Sequence, residues 1–238
     1  RGREIEPLSL DDVERAVDVL QAGGVEAVAI SFMHAYANAA HEEAAAELVA
    51  RRMPDAYLSV SSRVLPQVRF YERTSTTVLN AVVGPILRRY VDNLRRRLAD
   101  SGFRGALRIM QSHGGVTSPE AVAALAASTL LSGPAAAPTA GLAALRPHGQ
   151  DSFITVDMGG TSFDAALVVG GAPSITTSTS VSRFALALPS MDIVTIGAGG
   201  GSIAWIDDGL LKMGPQGAGA DPGPACYSTG GDQPTNTD

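Results

Sequence analysis

One stretch constrains this chain more than any other: Asp157-Met158-Gly159-Gly160-Thr161-Ser162-Phe163-Asp164. The apolar run Phe153-Ile154-Thr155-Val156 leads into it, and Ala165-Ala166-Leu167-Val168-Val169 leads out. Two apolar runs around a Gly-Gly pair predict a β-hairpin that turns over Met158 to Gly160. The chemistry of that turn is unusual for a plain hairpin. Its glycines carry no side chains, so backbone N–H groups can approach a phosphate closely and point at it. Thr161 and Ser162 add hydroxyl donors. Asp157 and Asp164 flank the loop with hard carboxylate oxygens suited to Mg²⁺, directly or through water. A carboxylate beside a phosphate is repelled unless a cation lies between them, so the two pairs together imply a metal–nucleotide. An ordinary Asp/Gly turn uses the same residues, and so short a pattern leaves both readings open.

A second Gly-rich segment follows the apolar run Ile193-Val194-Thr195-Ile196. It reads Gly197-Ala198-Gly199-Gly200-Gly201-Ser202. Four glycines and a serine after a strand can wrap a phosphate or carboxylate with backbone donors. Because Ile203 to Ile206 returns as a strand, a tight hairpin bend is the structural alternative.

Asp157 to Asp164 resembles the second phosphate loop of the ATPase superfamily that includes actin, hexokinase and the heat-shock chaperone ATPases. Other segments resemble one group within it, the hydantoinase A/5-oxoprolinase family, which includes related subunits of acetone carboxylases. Those segments are Tyr71 to Ala81 (YERTSTTVLNA), Ile109-Met110-Gln111-Ser112 and Leu131-Ser132-Gly133-Pro134-Ala135-Ala136. They continue with Ile196 to Ala204 (IGAGGGSIA) and Asp221-Pro222-Gly223-Pro224-Ala225-Cys226-Tyr227. The resemblance runs through nearly the whole chain in the family's order. It implies an α/β chain, a fragment of an actin/ribonuclease H-like ATPase fold with mixed sheets flanked by helices. Residues 1–62 would be the end of the family's N-terminal domain, and 63–238 its central domain, truncated at the C-terminus.

The resemblance also implies ATP and Mg²⁺ as cofactors. Asp157 and Asp164 would then be the metal-binding, catalytic carboxylates. Gly159, Gly160, Thr161, Ser162, Gly199, Gly200, Gly201 and Ser202 would contact nucleotide. Three departures stand out: Phe163 where the family carries Thr, His113 where it carries Asn, and Ala137 near a usual Gly. Family members further open with an earlier D-x-G-G-T loop and carry a later Gly-Gly segment that closes over adenosine. Neither occurs here, so the chain is expected to be an internal piece of a longer subunit with little turnover of its own.

Composition sets outer bounds. A chain of 238 residues, 45% hydrophobic, suffices for one large or two small domains with a real core. A formal net charge of −6 argues against nucleic acid as a partner. One cysteine, Cys226, rules out an internal disulfide and fits a reducing cytoplasm. No apolar run approaches the ~20 residues of a membrane span.

Along the chain, Ser9 followed by Asp12 resembles a capping box with the shorter acid. Val13, Ala16, Val17 and Leu20 then fall on one helical face, which Gly23-Gly24 ends. Val25 to Phe32 and Tyr57 to Val60 read as strands around a helix from about Ala39 to Arg52. Its Ala45, Leu48 and Val49 point inward. This alternation predicts a parallel sheet. Asn38 is expected to cap that helix, with His34 and His41 in loop hydrogen bonds rather than in a metal site.

Thr76 to Leu98 carries the longest helical pattern, with Val78, Leu79, Val82, Ile86, Tyr90, Val91 and Leu94 assigned to its apolar side. Pro85 should kink or split it. Arg88, Arg89, Arg95, Arg96 and Arg97 read as a solvated face near the helix C-terminus. Leu107 to Met110 is a strand, and His113 beyond it is expected to hydrogen-bond, not to transfer protons. Ala135 to Leu145 reads as a closely packing, small-residue helix. From Gly214 onward Gly and Pro predict irregular loop.

Two functions fit. One is part of the ATP-binding subunit of an enzyme that cleaves cyclic amides, working with a hydantoinase B-type subunit or domain; an acetone-carboxylase-like subunit would share the same nucleotide site. The other is a non-enzymatic actin-like or chaperone-like module. The family segments outside the Asp157 loop favour the enzyme.

Overall fold

A computed structural model describes residues 2–238, and the chain divides into two compact units. The first comprises the chain through Ser132 together with Thr176–Ser190; the second comprises Gly133–Ile175 and Met191–Asp238. The expected α/β character holds in both.

In the first unit, helix α1 (Leu10–Ala22) begins where Ser9 predicts. The Ser9 hydroxyl accepts the Asp12 N–H at 3.2 Å, a cap that contributes about 1 kcal/mol. Strands β1 (Ala27–Ile30) and β2 (Tyr57–Val60) pair in parallel, with helix α2 (Ala40–Arg52) between them in sequence. Ala45, Leu48 and Val49 pack with Val17, Val28, Ile30 and Val60 in one core. The N-cap position of α2 is Ala39, one residue later than expected, and makes no side-chain cap; Asn38, just outside it, still accepts the Ala40 N–H on its side-chain oxygen at 3.1 Å.

The long helix corrects the sequence reading. Helix α3 runs unbroken over Phe70–Asp100, through Pro85, and starts one and a half turns earlier than its apolar pattern suggests. Its buried face is mostly polar or small: Arg73, Thr76, Thr77, Asn80, Ala81 and Gly84. Val78, Val82, Ile86 and Tyr90, assigned inward from their spacing, are exposed. Most of the inward polar groups are hydrogen-bonded by their surroundings, and buried polar groups cost little once paired; the Ser75 hydroxyl is the exception, buried without a partner among the described residues. Asn80 accepts the Ala127 N–H at 2.9 Å and donates to the Ser59 hydroxyl at 2.9 Å. Arg73 donates to the Ser61 hydroxyl and to the carbonyls of Gln67 and Phe32. Buried Glu42 accepts from Ser61, Phe32 N–H and Ser62 N–H within 2.6–2.8 Å. Gly84 lets the helix lie against Tyr57, whose ring would stand 2.2 Å from a Cβ there.

His113 behaves as a hydrogen-bonding residue. Its Nε2 meets the Gln111 side-chain oxygen at 3.1 Å, and its Nδ1 accepts the Gly115 N–H at 3.2 Å. His41 pairs with Glu4 at 2.8 Å. Among the described residues, no group of three or more His, Cys, Asp or Glu is placed to hold a metal.

In the second unit, helix α4 (Ser132–Leu145) precedes the central hairpin, whose strands are β3 (Phe153–Met158) and β4 (Phe163–Val169). Strand β5 (Ile193–Ile196) adds to β4, giving an antiparallel order β5-β4-β3. The small-residue helix packs as its composition predicts. A Cβ at Gly141 would lie 2.6 Å from the Phe153 ring and 3.3 Å from a Thr155 methyl. Strand alternation puts Phe153, Thr155 and Asp157 on this helix-covered face. The opposite face carries Ile154, Val156, Leu167, Val169, Val194 and Ile196, all at least half exposed.

Strands β6 (Ser202–Asp207) and β7 (Leu210–Gly217) form a second hairpin. The tail beyond them is less irregular than its composition suggests. Residues 234–238 are fastened as a strap: Ala204 N–H donates to Pro234 O at 2.8 Å, and Thr237 N–H to Gly200 O at 3.0 Å.

Candidate functional site

The hairpin loop is built by backbone geometry. Asp157 opposes Asp164 in register and Met158 opposes Phe163, which leaves Gly159 to Ser162 as the turn. Gly159 N–H closes it on Ser162 O at 3.0 Å. The N–H groups of Gly160, Thr161 and Ser162 meet no acceptor among the described residues. A Cβ at Gly159 or Gly160 would touch nothing within 4 Å. These two glycines face open space.

The second Gly-rich segment has a different task. Gly200 N–H donates to Gly159 O, and Gly201 N–H to Gly160 O, both at 2.8 Å. The wrapping donors expected at Gly200 and Gly201 are therefore committed to the hairpin loop and do not point at an anion. A Cβ at Gly199 would sit 2.5 Å from the Thr161 and Ser162 nitrogens. Ser202 is buried and turns its N–H back to Gly199 O at 3.0 Å. Two loops thus lie backbone to backbone, and glycine is what allows it.

The strap completes the arrangement. Thr237 donates its hydroxyl to Gly200 O at 2.8 Å, and the Asn236 amide donates to the carbonyls of Ala198 and Gly199 at 3.0 and 3.1 Å. Asp238 fixes the strap in turn, accepting from Cys226 N–H at 2.7 Å, Thr235 N–H at 2.8 Å and the Thr235 hydroxyl at 2.9 Å. The bonds from Cys226 and then Thr235 hold the Asp238 carboxyl far below the usual carboxylate range. The same carboxylate pushes the Cys226 thiol up.

Between these parts lies a cavity of about 560 Å³. Gly159, Gly160, Thr161, Gly200 and Gly201 line one side, and Gly219, Pro224, Tyr227 and Thr237 line the other. Neither Asp157 nor Asp164 is among the residues that line it; they precede and follow the loop by one strand position, and strand alternation puts their side chains on the helix-covered sheet face, opposite to that of Met158. Asp157 is exposed. Asp164 is half-buried, and accepts the Thr195 hydroxyl at 2.6 Å and the Ser162 hydroxyl at 3.0 Å. Ser162, read as a phosphate donor, here holds a carboxylate.

The residues present fit a magnesium–nucleotide. Mg²⁺ commonly takes only one or two carboxylates, completing its shell with water and phosphate oxygens. The Asp pair meets that need, and the open glycine turn with unused N–H groups meets the need of the phosphates. Thr195 and the 234–238 strap were not visible from motif spacing. A Thr inside an apolar strand and a terminal Thr-Asn-Thr-Asp carry no signal until register and chain path are known.

Comparison with known proteins agrees with this geometry. The hydantoinase/oxoprolinase family model matches residues 73–238, and the model of that family's N-terminal region matches residues 1–53. The chain belongs to the hydantoinase/oxoprolinase family. It is 42% identical over its whole length to the caprolactamase alpha subunit of Pseudomonas jessenii, covering 34% of that protein. The crystal structure of the ATP-dependent caprolactamase from the same organism superposes with a TM-score of 0.81 at 39% identity, over 99% of this chain and 34% of that one. A nucleotide-free acetone carboxylase structure gives 0.79 at 27% identity, over 97% of this chain and 33% of that one. The 5-oxoprolinase of Saccharomyces cerevisiae is 32% identical over 92% of this chain, which covers 17% of the yeast protein. This family chain spans about a third of the length of its caprolactamase and carboxylase relatives, and less of the oxoprolinase.

Proposed function

We propose that this chain forms part of the ATP-binding subunit of an ATP-dependent cyclic amide hydrolase of the hydantoinase/5-oxoprolinase kind. One observation carries the reading. Two opposed carboxylates flank a turn whose glycines face open space and whose Gly160, Thr161 and Ser162 N–H groups are unused. The relatives' names, an ATP-dependent caprolactamase and a 5-oxoprolinase, support the substrate class.

In this reading Gly160, Thr161 and Ser162 orient phosphate oxygens with backbone N–H groups, and Thr161 adds its hydroxyl. Asp157 and Asp164 hold Mg²⁺. Gly200 and Gly201 line the cavity, while Gly199 and Ser202 fix the loop's shape. Mg-ATP held there would supply an activated phosphoryl group, whose transfer to the amide oxygen with release of ADP would make that oxygen a leaving group. Phosphoryl transfer asks mainly for positioning and charge neutralisation, and both lie within the reach of these residues.

The proposal includes a boundary near residue 62 between the family's N-terminal and central domains. It also includes a hydantoinase B-type partner, in keeping with the caprolactamase relative being named a subunit. The lone Cys226 favours the cytoplasm. Among the described residues no helix is long and apolar enough to cross a membrane.

The likeness to acetone carboxylase favours one second reading, a ketone carboxylase subunit using the same nucleotide site. Calorimetric titration with Mg-ATP and Mg-ADP tests the shared part. Binding that requires Mg²⁺ and disappears in Asp157→Ala is expected; Mg²⁺-independent binding, or binding indifferent to that change, refutes the site. In the assembled enzyme, phosphate release stimulated by a lactam indicates the hydrolase, and release requiring ketone plus bicarbonate indicates the carboxylase.

A further inference from the structure

Asp157 and Asp164 are directly opposed in the β3–β4 register, so their side chains emerge on one face with Cβ atoms about 5 Å apart. Like charges placed this way repel, and each carboxylate is driven to rotate away from the other. Their surroundings are unequal. Asp157 is exposed and has no hydrogen-bond partner among the described residues. Asp164 has one hydroxyl on each oxygen: Thr195 on Oδ1 and Ser162 on Oδ2.

The two hydroxyls differ in firmness. Ser162 belongs to the glycine turn and bonds at 3.0 Å. Thr195 lies in β5 and opposes Asp164 from the side away from Asp157, so Thr195, Asp164 and Asp157 form a row across three strands. A β-branched side chain in a strand has few χ1 choices. Its 2.6 Å bond to a charged oxygen is of the short, strong kind. A carboxylate offers about four lone-pair directions, so each Asp164 oxygen keeps one for a cation.

We propose that Thr195 is a positioning residue, which pins the Asp164 carboxylate so that it shares a divalent cation with Asp157. The inference rests on the magnesium–nucleotide reading above. Thr195 touches neither metal nor nucleotide. It acts by removing the rotation through which Asp164 would escape its like-charged neighbour.

The test titrates Mn²⁺, a spectroscopic stand-in for Mg²⁺, into the whole subunit of which this chain is proposed to form part, with ADP, reading bound metal by electron paramagnetic resonance. Thr195→Val keeps the shape and removes the hydroxyl; Thr195→Ser keeps the hydroxyl and removes the branch. Thr195→Val should weaken Mn²⁺ binding about 10-fold, the usual effect of losing a group that orients a ligand. Thr195→Ser should stay within about 3-fold of the parent, and metal-free ADP binding should be equal in all three. Unchanged Mn²⁺ affinity in Thr195→Val overturns the proposal, and so does a Thr195→Ser as weak as the valine variant. If the parent binds Mn²⁺-ADP and Asp157→Asn abolishes it while Thr195→Val does not, the positioning role fails and the nucleotide reading stands. If the parent binds no Mn²⁺ with ADP, both fall together.

Discussion

The two glycine clusters of the second unit look alike in sequence and differ in what they face. Gly159 and Gly160 have nothing within 4 Å of where a Cβ would stand, whereas Gly199 would drive one to 2.5 Å of backbone nitrogens. One cluster is small for the sake of something outside the chain. The other is small so that two stretches of backbone can touch. Glycine content therefore does not identify a phosphate loop; the emptiness beside the glycine does.

Substitutions can break this contrast. The largest effect is expected from Gly199→Ala. Its new methyl meets backbone that cannot swing aside, and overpacking of this kind costs on the order of 3 kcal/mol, readable as a lowered denaturation midpoint. Next comes Gly160→Ala, whose methyl enters open space. It should leave stability equal or higher by about 0.5 kcal/mol, through a less flexible unfolded chain. It should also weaken Mg-ADP about 10-fold in calorimetry, because it crowds the phosphate approach. A Gly160→Ala that destabilises like Gly199→Ala would erase the distinction.

Gly201→Ala should fall between the two. Its Cβ would stand 3.1 Å from Gly160 O, so a small backbone shift costing about 1 kcal/mol accommodates it. The smallest effect concerns the strap. The Asp238 carboxyl is held below its unfolded value near 4, so its contribution is present above about pH 4 and fades as pH falls further. Melting curves of the parent and Asp238→Asn should differ above about pH 5 and converge in acid. A gap that widens as pH falls would contradict the assigned bonds.

What the sequence disclosed followed the range of the forces involved. Ser9, Gly23 and the Asp157–Asp164 hairpin act on near neighbours, and each stands where local rules put it. Helix α3 shows where such rules stop. Its buried Asn80 depends on Ser59 and Ala127, and its Thr76 on Ala187; those partners are distant in sequence, so periodicity placed Val91 and Leu79 inward correctly but put Val78, Val82, Ile86 and Tyr90 on the wrong side. The site divides in the same way. Asp157 and Gly160 were legible as a motif. Thr195 became relevant only through the pairing of β5 with β4, and Gly200 changed its task because its N–H is claimed by Gly159.

The strap also has a consequence in time. Thr237 follows Gly200 by 37 residues, yet it helps wall the cavity whose first residues are near Met158. A ribosome adds about 5–20 residues per second, and chain segments fold in the order they emerge. The hairpin can therefore pair, and the second glycine segment can dock on it, seconds before Asn236, Thr237 and Asp238 exist. During that interval the carboxylates and the glycine turn are in place while one wall is missing. A nascent chain halted before residue 234 should hold nucleotide poorly and release it quickly.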